Sequence, residues 1–318
     1  MDDALRAVPM AHQFLLKPCD PNMLRVAVER ATRLSNILSN KLLANLVGSV
    51  KDLPVLPRTY QALRQKLAEP EACIRDVVHI VEQDVAISAK ILQLVNSAFF
   101  GLPREVSSVR SAVGFLGIEM VQNLVLSAGV FTVFDKLVQL PGFSCEELQA
   151  HSQLTAKIAG QIPASAHVRG VAVVAGMLHD VGKLVPATRA PAHFNRALEG
   201  AEAEKLPLYV VETELIGVSH AEVGAYLLGI WGLPSPVVEA VAHHHHPARV
   251  PQDSLDAVGI VYISNILAHQ VADAAPTPES AAQAAIDPEY LERLGVIEQF
   301  PGWQEMAKAS AGGLHAER

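Results

Sequence analysis

The sequence predicts an all-α fold with a short strand and helix ahead of it. Along most of the 318 residues, apolar side chains recur at intervals of three and four, which places them on one face of a helix. No convincing alternation of apolar and polar residues, the pattern of a half-buried strand, appears among these segments. Gly101-Leu102-Pro103 and Pro141-Gly142 interrupt the pattern where helices joined by turns are expected. The expected architecture is a multi-helix bundle.

The first 40 residues are predicted to be a remnant of another fold followed by a linker helix. Ala11–Pro18 contains a short apolar run that favours a strand, and Pro21–Leu38 has the apolar spacing of a helix. Asp20 is placed to cap that helix, and Pro21 suits its first turn. A single strand cannot satisfy its own edges, so this segment lacks the sheet that it would need.

Residues 41–273 are predicted to form the main helical domain, with one half at about 41–140 and the other at about 141–273. Pro54 and Pro57 exclude a continuous helix near its start, Asp84 is placed as an N-cap, and Gly117 is expected to end a helix. The predicted helices are Asn36–Val50, Thr59–Leu67, Ile74–Glu82, Val85–Asn96, Val109–Leu116, Glu119–Phe134, Glu146–Ile162, Val171–Leu178, Phe194–Leu198, Val210–Ile216, His220–Ile230, Pro236–His245 and Leu255–Asp273.

Residues 274–318 are predicted to be a C-terminal extension. Pro276 and Pro278 precede a modest helix at Ala281–Ala285, and a second helix is expected at Tyr290–Ile297. The segment from Ala311 onward is small and polar, so it is expected to fray.

Composition restricts the class of protein. The chain has 25 basic and 33 acidic residues, a net charge of -8, and no basic patch, which argues against a nucleic-acid partner. Its three cysteines are far apart and odd in number, as expected for reduced thiols in the cytoplasm. The longest apolar runs fall short of the roughly 20 residues of a membrane helix, and the N-terminus lacks the pattern of a secretory signal. We therefore predict a cytoplasmic protein that binds neither nucleic acid nor membrane.

Histidines and acidic residues at predicted helix ends suggest a metal site. His179 and Asp180 follow an apolar helix, and Gly182 can supply the turn that directs both inward. Glu147 and His151 are four residues apart on one helix face. His220 begins a later helix, and the run from His243 to His246, which includes His244 and His245, ends another. Imidazole and carboxylate ligands suit one or two ions of iron, manganese or zinc, and Lys183 is placed to bind a phosphate or to pair with a ligand carboxylate.

Other interpretations of the same residues remain open at this point. The pair Glu147 and His151 is also typical of a solvated helix face, and His179-Asp180 is also typical of a satisfied buried pair or a helix cap. The His243–His246 run alone fits exposed polar surface. Together, the histidines can also form a polar core that responds to pH near ~6.5.

At these residues the chain resembles the HD superfamily of metal-dependent phosphohydrolases, and its HDOD branch more closely. The resemblance covers about Leu53 to His269, roughly two thirds of the chain. Its motifs are Leu53–Pro57, Asp84, Leu94–Ala98, Ala112–Gly117, Leu178–Lys183 and Trp231–Pro234.

That resemblance implies a helical fold and a set of site residues. By position in the family motif, the implied metal ligands are His151, His179, Asp180, His220, His244 and His245, with Glu147 as an extra ligand. If the protein is active, Asp180 and Lys183 are the implied catalytic residues. Two departures argue against catalysis. Asn265 stands where a late aspartate is expected, and a neutral amide cannot act as a base. The Gly-Tyr-Pro signature of relatives that hydrolyse cyclic-di-GMP is replaced by Pro247–Pro251.

The function implied is a regulatory signal-transduction module without catalysis. Its expected partners are signalling proteins such as a kinase or a cyclic-dinucleotide enzyme, and a homodimer is compatible with it. A metal or nucleotide in the HD-like pocket would bias its shape. The alternative is a metal-dependent phosphohydrolase, acting on a phosphodiester or a nucleotide, with a binuclear site.

The segment Phe14–Leu38 is similar to the end of a response-regulator receiver domain, whose last strand carries a Lys-Pro pair matched by Lys17-Pro18. The acidic pocket and the phosphorylatable aspartate of such a domain belong to its front part, which this segment does not include. Asp2 and Asp3 look like the acidic pair but lie too near Lys17 to be that pair. Phosphorylation therefore cannot be inferred.

Overall fold

The computed structural model describes residues 25, 28, 29, 32, 35–37, 39–47, 57–96, 106–135, 138, 140, 143–272 and 284–315. Within those ranges the chain forms α-helices, short 3-10 helices and turns, and no strand. This confirms the all-α prediction. The predicted strand Ala11–Pro18 lies outside the described residues, as do Lys17-Pro18 and most of the predicted helix Ala281–Ala285. The described positions from 25 to 37 are helical.

Fifteen α-helices are numbered here along the described ranges, beginning after residue 40. They are α1 Lys41–Val47, α2 Arg58–Leu67, α3 Ile74–Glu82, α4 Val85–Asn96, α5 Val109–Asp135, α6 Cys145–Gln161, α7 Ala166–Leu178, α8 Leu184–Arg189, α9 Pro191–Glu204, α10 Leu208–Ile216, α11 His220–Ile230, α12 Ser235–His243, α13 Ala257–Ala272, α14 Pro288–Arg293 and α15 Phe300–His315.

Several predicted boundaries agree with the structure because the local signals work as expected. Asp84 precedes α4, and its carboxylate accepts hydrogen bonds from the Ile87 amide at 3.1 Å and the Thr59 hydroxyl at 2.8 Å. Gly117 interrupts α5 with a φ of 82°, a left-handed conformation that favours glycine, so the two predicted helices meet at a kink.

The core places α6, α7, α11, α12 and α13 around one interior. Helix α6 packs on α7 and α13, while α11 packs on α12 and on the 3-10 turn that follows α7. Helices α2 to α5 form an adjoining bundle, and the Arg64 guanidinium of α2 donates a hydrogen bond to the Trp231 carbonyl after α11. The ends of α7, α11 and α12 therefore meet inside the second half of the domain.

The C-terminal region differs from the prediction. The tail expected to fray from Ala311 is helical through His315, and Ala311 is buried at 7% exposure. Helix α15 is held because the buried Lys157 ammonium on α6 donates to the Ser310 carbonyl at 2.9 Å. Small, polar residues thus form a stable helix here because tertiary contacts outweigh weak local signals.

One helical run, Ala166–Arg189, is long and apolar enough to cross a membrane by length and composition, with a mean hydropathy of 1.2. In the fold, 83% of its most apolar stretch is buried. That burial is typical of a core helix, because a helix enclosed by other helices is apolar all round.

Candidate metal centre

The end of α7 carries two of the predicted site residues into the core. His179 follows the last residue of α7 and Asp180 precedes the 3-10 turn Val181–Lys183; the two are 0% and 1% exposed. His179 Nδ1 donates to the Gly176 carbonyl at 2.8 Å. Because a carbonyl can only accept, Nδ1 holds the hydrogen in this bond, and Nε2 is the ring nitrogen left to act as a ligand.

Close backbone packing brings this turn against α11. A Cβ on Gly182 would lie 1.9 Å from the His220 carbonyl oxygen and 2.5 Å from the Gly224 nitrogen. Gly182 is not among the residues with positive φ, so it is not needed to form a left-handed turn. It is needed because two backbones meet, and this contact places Asp180 beside His220.

His220 begins α11 and is fixed by a carboxylate on α10. Ser219 and Glu222 form a capping box that starts the helix. Glu212 Oε2 accepts from the His220 backbone amide at 2.8 Å and from His220 Nδ1 at 2.6 Å. This carboxylate–imidazole pair leaves Nε2 directed into the cluster, the usual arrangement behind a metal-ligating histidine.

The end of α12 supplies two further imidazoles. His244 Nδ1 donates to the Val241 carbonyl at 2.7 Å, so its Nε2 is also free to act as a ligand. His245 Nε2 lies 2.8 Å from His220 Nε2, and the Tyr209 ring stacks on His245 with centroids 4.2 Å apart. Ligands about 2.1 Å from one ion in octahedral geometry are about 3.0 Å apart, close to this nitrogen separation.

His151 approaches from α6 and meets two residues of α13. Its Nε2 lies 2.8 Å from Asn265 Oδ1, and its ring lies 4.3 Å from the His269 ring between centroids. Because an amide carbonyl accepts, His151 donates in this hydrogen bond.

Asp180 lies between all these rings and divides them into two groups. Asp180 Oδ1 is 3.2 Å from His220 Nε2 and 3.8 Å from His244 Nε2. Asp180 Oδ2 is 3.3 Å from His179 Nε2 and 3.9 Å from His151 Nε2. In each group, one ligand atom per residue lies within 4.8 Å of the others. We call them the His220 group, formed by Asp180, His220, His244 and His245, and the His179 group, formed by His151, His179 and Asp180.

The electrostatics suit cation binding. Burial lowers the pKa of His151 to about 3, and burial also lowers the pKa values of His244 and His245 well below their ordinary range. Burial would raise the pKa of Asp180, but His179 and Lys183 outweigh it and hold that pKa well below its usual value. The imidazoles of His151, His244 and His245 are therefore neutral and the Asp180 carboxylate is charged, as metal binding requires.

His220 differs from the other imidazoles. Burial would lower its pKa, but the charge of the Glu212 carboxylate and the contacts with Glu212 and Asp180 together outweigh burial, and the pKa is raised.

Three polar atoms of the cluster make no hydrogen bond although they are buried. They are His179 Nε2, His244 Nε2 and Asp180 Oδ1. An unsatisfied buried polar atom costs about 1–3 kcal/mol, and a divalent cation would satisfy all three. These three unsatisfied atoms are the structural evidence that the residues fit a metal ion.

Glu147 does not join the cluster. It is exposed in the first turn of α6, and its backbone amide donates to the Ser144 side chain at 3.1 Å. Four residues along a helix rotate a side chain by about 40° and raise it by about 6 Å, so Glu147 points outward while His151 points inward. Its position does not support the predicted role as an extra ligand.

Three residues that contact the candidate site were not predicted from the sequence. Glu212 is 1% exposed and orients His220, His269 packs on His151, and Tyr209 stacks on His245. The signal for Glu212 was a lone carboxylate on the apolar face of α10. His269 lies four residues after Asn265, and that spacing places both on one face of α13.

A cavity of about 430 Å³ opens beside the His220 group. His244 and His245 form one wall, Arg249 and Asn265 contribute polar atoms, and residues 285–287 from beyond α13 complete the lining. This volume falls within the usual range of about 300–1,000 Å³ for small-molecule sites.

The chain is similar to proteins of several bacteria. A curated relative from Treponema pallidum, an uncharacterized protein, is 27% identical over 250 residues, which are 78% of this chain and 48% of the relative. The chain thus spans about half the length of that relative. An HDOD domain protein from Geobacter sulfurreducens shares the fold, with a TM-score of 0.63 at 23% identity over 88% of this chain and 97% of the other.

A candidate phosphohydrolase from Shewanella amazonensis also has this fold, with a TM-score of 0.64 at 22% identity over 87% of this chain and 97% of the other. The family model of the HDOD domain matches residues 53–247, which is more than half of the chain and includes the ends of α7, α11 and α12. Asn265 and His269 lie beyond that match. The chain therefore belongs to the HDOD family.

Proposed function

We propose that this protein is a regulatory signal-transduction module whose HDOD domain holds a divalent metal ion. The observation that carries the proposal is the buried cluster itself, in which Nε2 of His179 and His244 and Oδ1 of Asp180 have no hydrogen-bond partner. Imidazole ligands with a single carboxylate suit iron, manganese or zinc. Leaving these atoms unsatisfied would cost several kcal/mol, so a protein that binds no cation gains nothing from the arrangement.

The proposed role of the ion is to hold helices together. Its ligands come from the end of α7, the start of α11 and the end of α12, and Glu212 extends the connection to α10. When bound, the ion would supply positive charge that links these segments. An ion present at a thousandfold excess over its Kd stabilises the folded state by about 4 kcal/mol, enough to favour one arrangement of these helices.

Two features favour regulation over catalysis. Asn265, which accepts from His151 at 2.8 Å, is a neutral amide and offers no base. The Lys183 ammonium donates to Asp180 Oδ2 at 2.7 Å, so this carboxylate oxygen is already engaged with a positive charge. The output is then binding to a protein partner, of which a kinase or a cyclic-dinucleotide enzyme is the class implied by the family resemblance.

The second candidate is a metal-dependent phosphohydrolase, and the cavity beside His244 and His245 favours it. Arg249 lines that cavity, and a guanidinium there can bind a phosphate oxygen. Asp180 and Lys183 would then be the residues of the reaction, with Lys183 neutralising charge on the phosphate. The ion would supply Lewis acidity.

Metal binding and hydrolysis measured on the same full-length chain separate these functions. Metal-loaded protein is assayed with bis-p-nitrophenyl phosphate and a set of nucleotides, and its Tm is measured with and without chelator. The proposal predicts that the chelator lowers the Tm. It also predicts that the protein hydrolyses these substrates no faster than the free metal does. His244→Ala should lose the Tm response, whereas His167→Ala, on the exposed side of α7, should keep it.

Turnover that disappears in His244→Ala but not in His167→Ala would overturn the proposal in favour of the hydrolase. Folded protein that binds no metal and hydrolyses nothing would reject both functions. It would leave the cluster as a buried polar core.

A further inference from the structure

The Asp180 carboxylate faces two different environments, which bears on how many ions the cluster takes. Oδ1 lies among imidazole nitrogens only, with His220 Nε2 at 3.2 Å and His244 Nε2 at 3.8 Å. Oδ2 lies near His179 Nε2 but accepts a hydrogen bond from the Lys183 ammonium at 2.7 Å. The two groups are therefore unequal as cation sites.

In the His220 group, His244 Nε2 and Asp180 Oδ1 have no hydrogen-bond partner, and the other two ligand atoms are hydrogen-bonded to each other. The Nδ1 hydrogens of His220 and His244 are committed to Glu212 and to the Val241 carbonyl, so both Nε2 atoms face the cluster. His245 Nε2 lies 2.8 Å from His220 Nε2, a separation at which two imidazoles share one proton. A cation here would replace that proton and would gain Asp180 Oδ1 as its negatively charged ligand.

The His179 group has two of its three ligand atoms engaged. Asp180 Oδ2 already contacts the Lys183 ammonium, and His151 Nε2 is hydrogen-bonded to Asn265 at 2.8 Å. With the amide oriented this way, His151 Nε2 holds a hydrogen. With the amide turned round, its NH₂ would donate to the same nitrogen, and the lone pair would be occupied equally. Only His179 Nε2 remains free for a cation.

The balance of buried charge also favours one divalent ion over two. Asp180 and Glu212 are each 1% exposed, and the Lys183 side chain is 13% exposed. Two carboxylates and one ammonium leave a single negative charge, which one divalent ion converts to a single positive charge. A second divalent ion would raise it to three positive charges in a buried site, where an uncompensated charge costs several kcal/mol.

We infer that each chain binds one metal ion, in the His220 group, and that the Lys183 ammonium takes the place of a second ion beside Asp180 Oδ2. The inference rests on the proposed metal binding and makes it specific. The Lys183 side chain is then a built-in cation that fixes the site as mononuclear.

The test counts ions per chain. Full-length protein is dialysed against Mn²⁺, freed of unbound metal and analysed by elemental mass spectrometry, with electron paramagnetic resonance to distinguish isolated from coupled Mn²⁺. The wild type should bind one ion with an uncoupled spectrum. His245→Ala should lose the ion, whereas His151→Ala should retain it. Lys183→Met combined with Asn265→Asp should approach two coupled ions, and Lys183→Arg should remain at one.

The outcomes separate this inference from the proposed function. Two ions in the wild type, or one ion lost in His151→Ala and retained in His245→Ala, would overturn the inference while metal binding stands. Folded wild type without metal would overturn both. If His245→Ala does not fold, Glu212→Gln serves instead, because losing the carboxylate behind His220 should weaken Mn²⁺ binding at least tenfold under this inference. Unchanged affinity in that variant would contradict it.

Discussion

Gly182 is predicted to be intolerant of even one added methyl group. In Gly182→Ala, the new Cβ would lie 1.9 Å from the His220 carbonyl oxygen, whereas real Cβ contacts essentially never fall below 3.0 Å. The turn and α11 must therefore separate by about 1.1 Å, and all three obstructing atoms belong to the backbone. Overpacking of this kind costs about 1–3 kcal/mol. The same displacement would take Asp180 Oδ1 away from His220 Nε2 and lower metal affinity.

Urea denaturation of the metal-free protein and Mn²⁺ titration of the folded protein measure the two effects. Gly182→Ala should lose about 1–3 kcal/mol of unfolding free energy and about tenfold or more in metal affinity. Gly170→Ala is the matched control, because a Cβ there meets nothing within 4 Å and alanine favours a helix such as α7. A Gly182→Ala protein that matches the wild type in both measurements would refute the close-packing argument.

Three further predictions concern charge and pH. Glu212→Gln should weaken Mn²⁺ binding about 10- to 100-fold by calorimetry, because a neutral amide polarises the imidazole less; unchanged affinity would contradict this role. Burial lowers the pKa of His151 to about 3, so below an unfolded pKa of about 6.5 the unfolded chain binds a proton that the folded chain does not. As pH falls below 6.5, this group should therefore lower the unfolding free energy of the metal-free protein by about 1.4 kcal/mol per pH unit. Urea midpoints that stay constant down to about pH 5 would refute this prediction. Lys157→Met should cost about 1–3 kcal/mol because it removes the buried hydrogen bond from a charged group to the Ser310 carbonyl. Lys308→Met at the surface should change stability by less than about 1 kcal/mol, and equal effects would be inconsistent with the buried contact.

Local sequence signals predicted most helices but not all of them. Asp84 and Gly117 marked boundaries correctly, because a capping carboxylate and a left-handed glycine act within a few residues of themselves. Helix α8 and helix α15 were missed. Pro186 obscured α8, and the stability of α15 comes from contacts such as that with Lys157, which lies far away in sequence.

The candidate site was predictable where residue type alone identified a ligand. His151, His179 and His220 were chosen for their imidazoles, and the structure brings them together around Asp180, although their role as ligands stays a prediction. Glu212 could not be found in this way. A carboxylate is informative only when its neighbours are known, and its partner His220 becomes evident in three dimensions.

The choice between two ions and one also needed coordinates. From the sequence, Lys183 could either bind a phosphate or pair with a ligand carboxylate, because a lysine three residues after an aspartate can point in several directions. The structure directs its ammonium to Asp180 Oδ2. Likewise, the hydrogen bond from His151 to Asn265 joins α6 to α13 and has no local signature.

Anomalous X-ray scattering from crystals of the Mn²⁺-loaded protein is the most direct measurement of whether this cluster is a metal centre. We expect one strong peak within about 2.3 Å of Asp180 Oδ1 and the Nε2 atoms of His220, His244 and His245. Fully loaded crystals with no peak among these side chains, or with metal bound only at another surface, would contradict the metal centre.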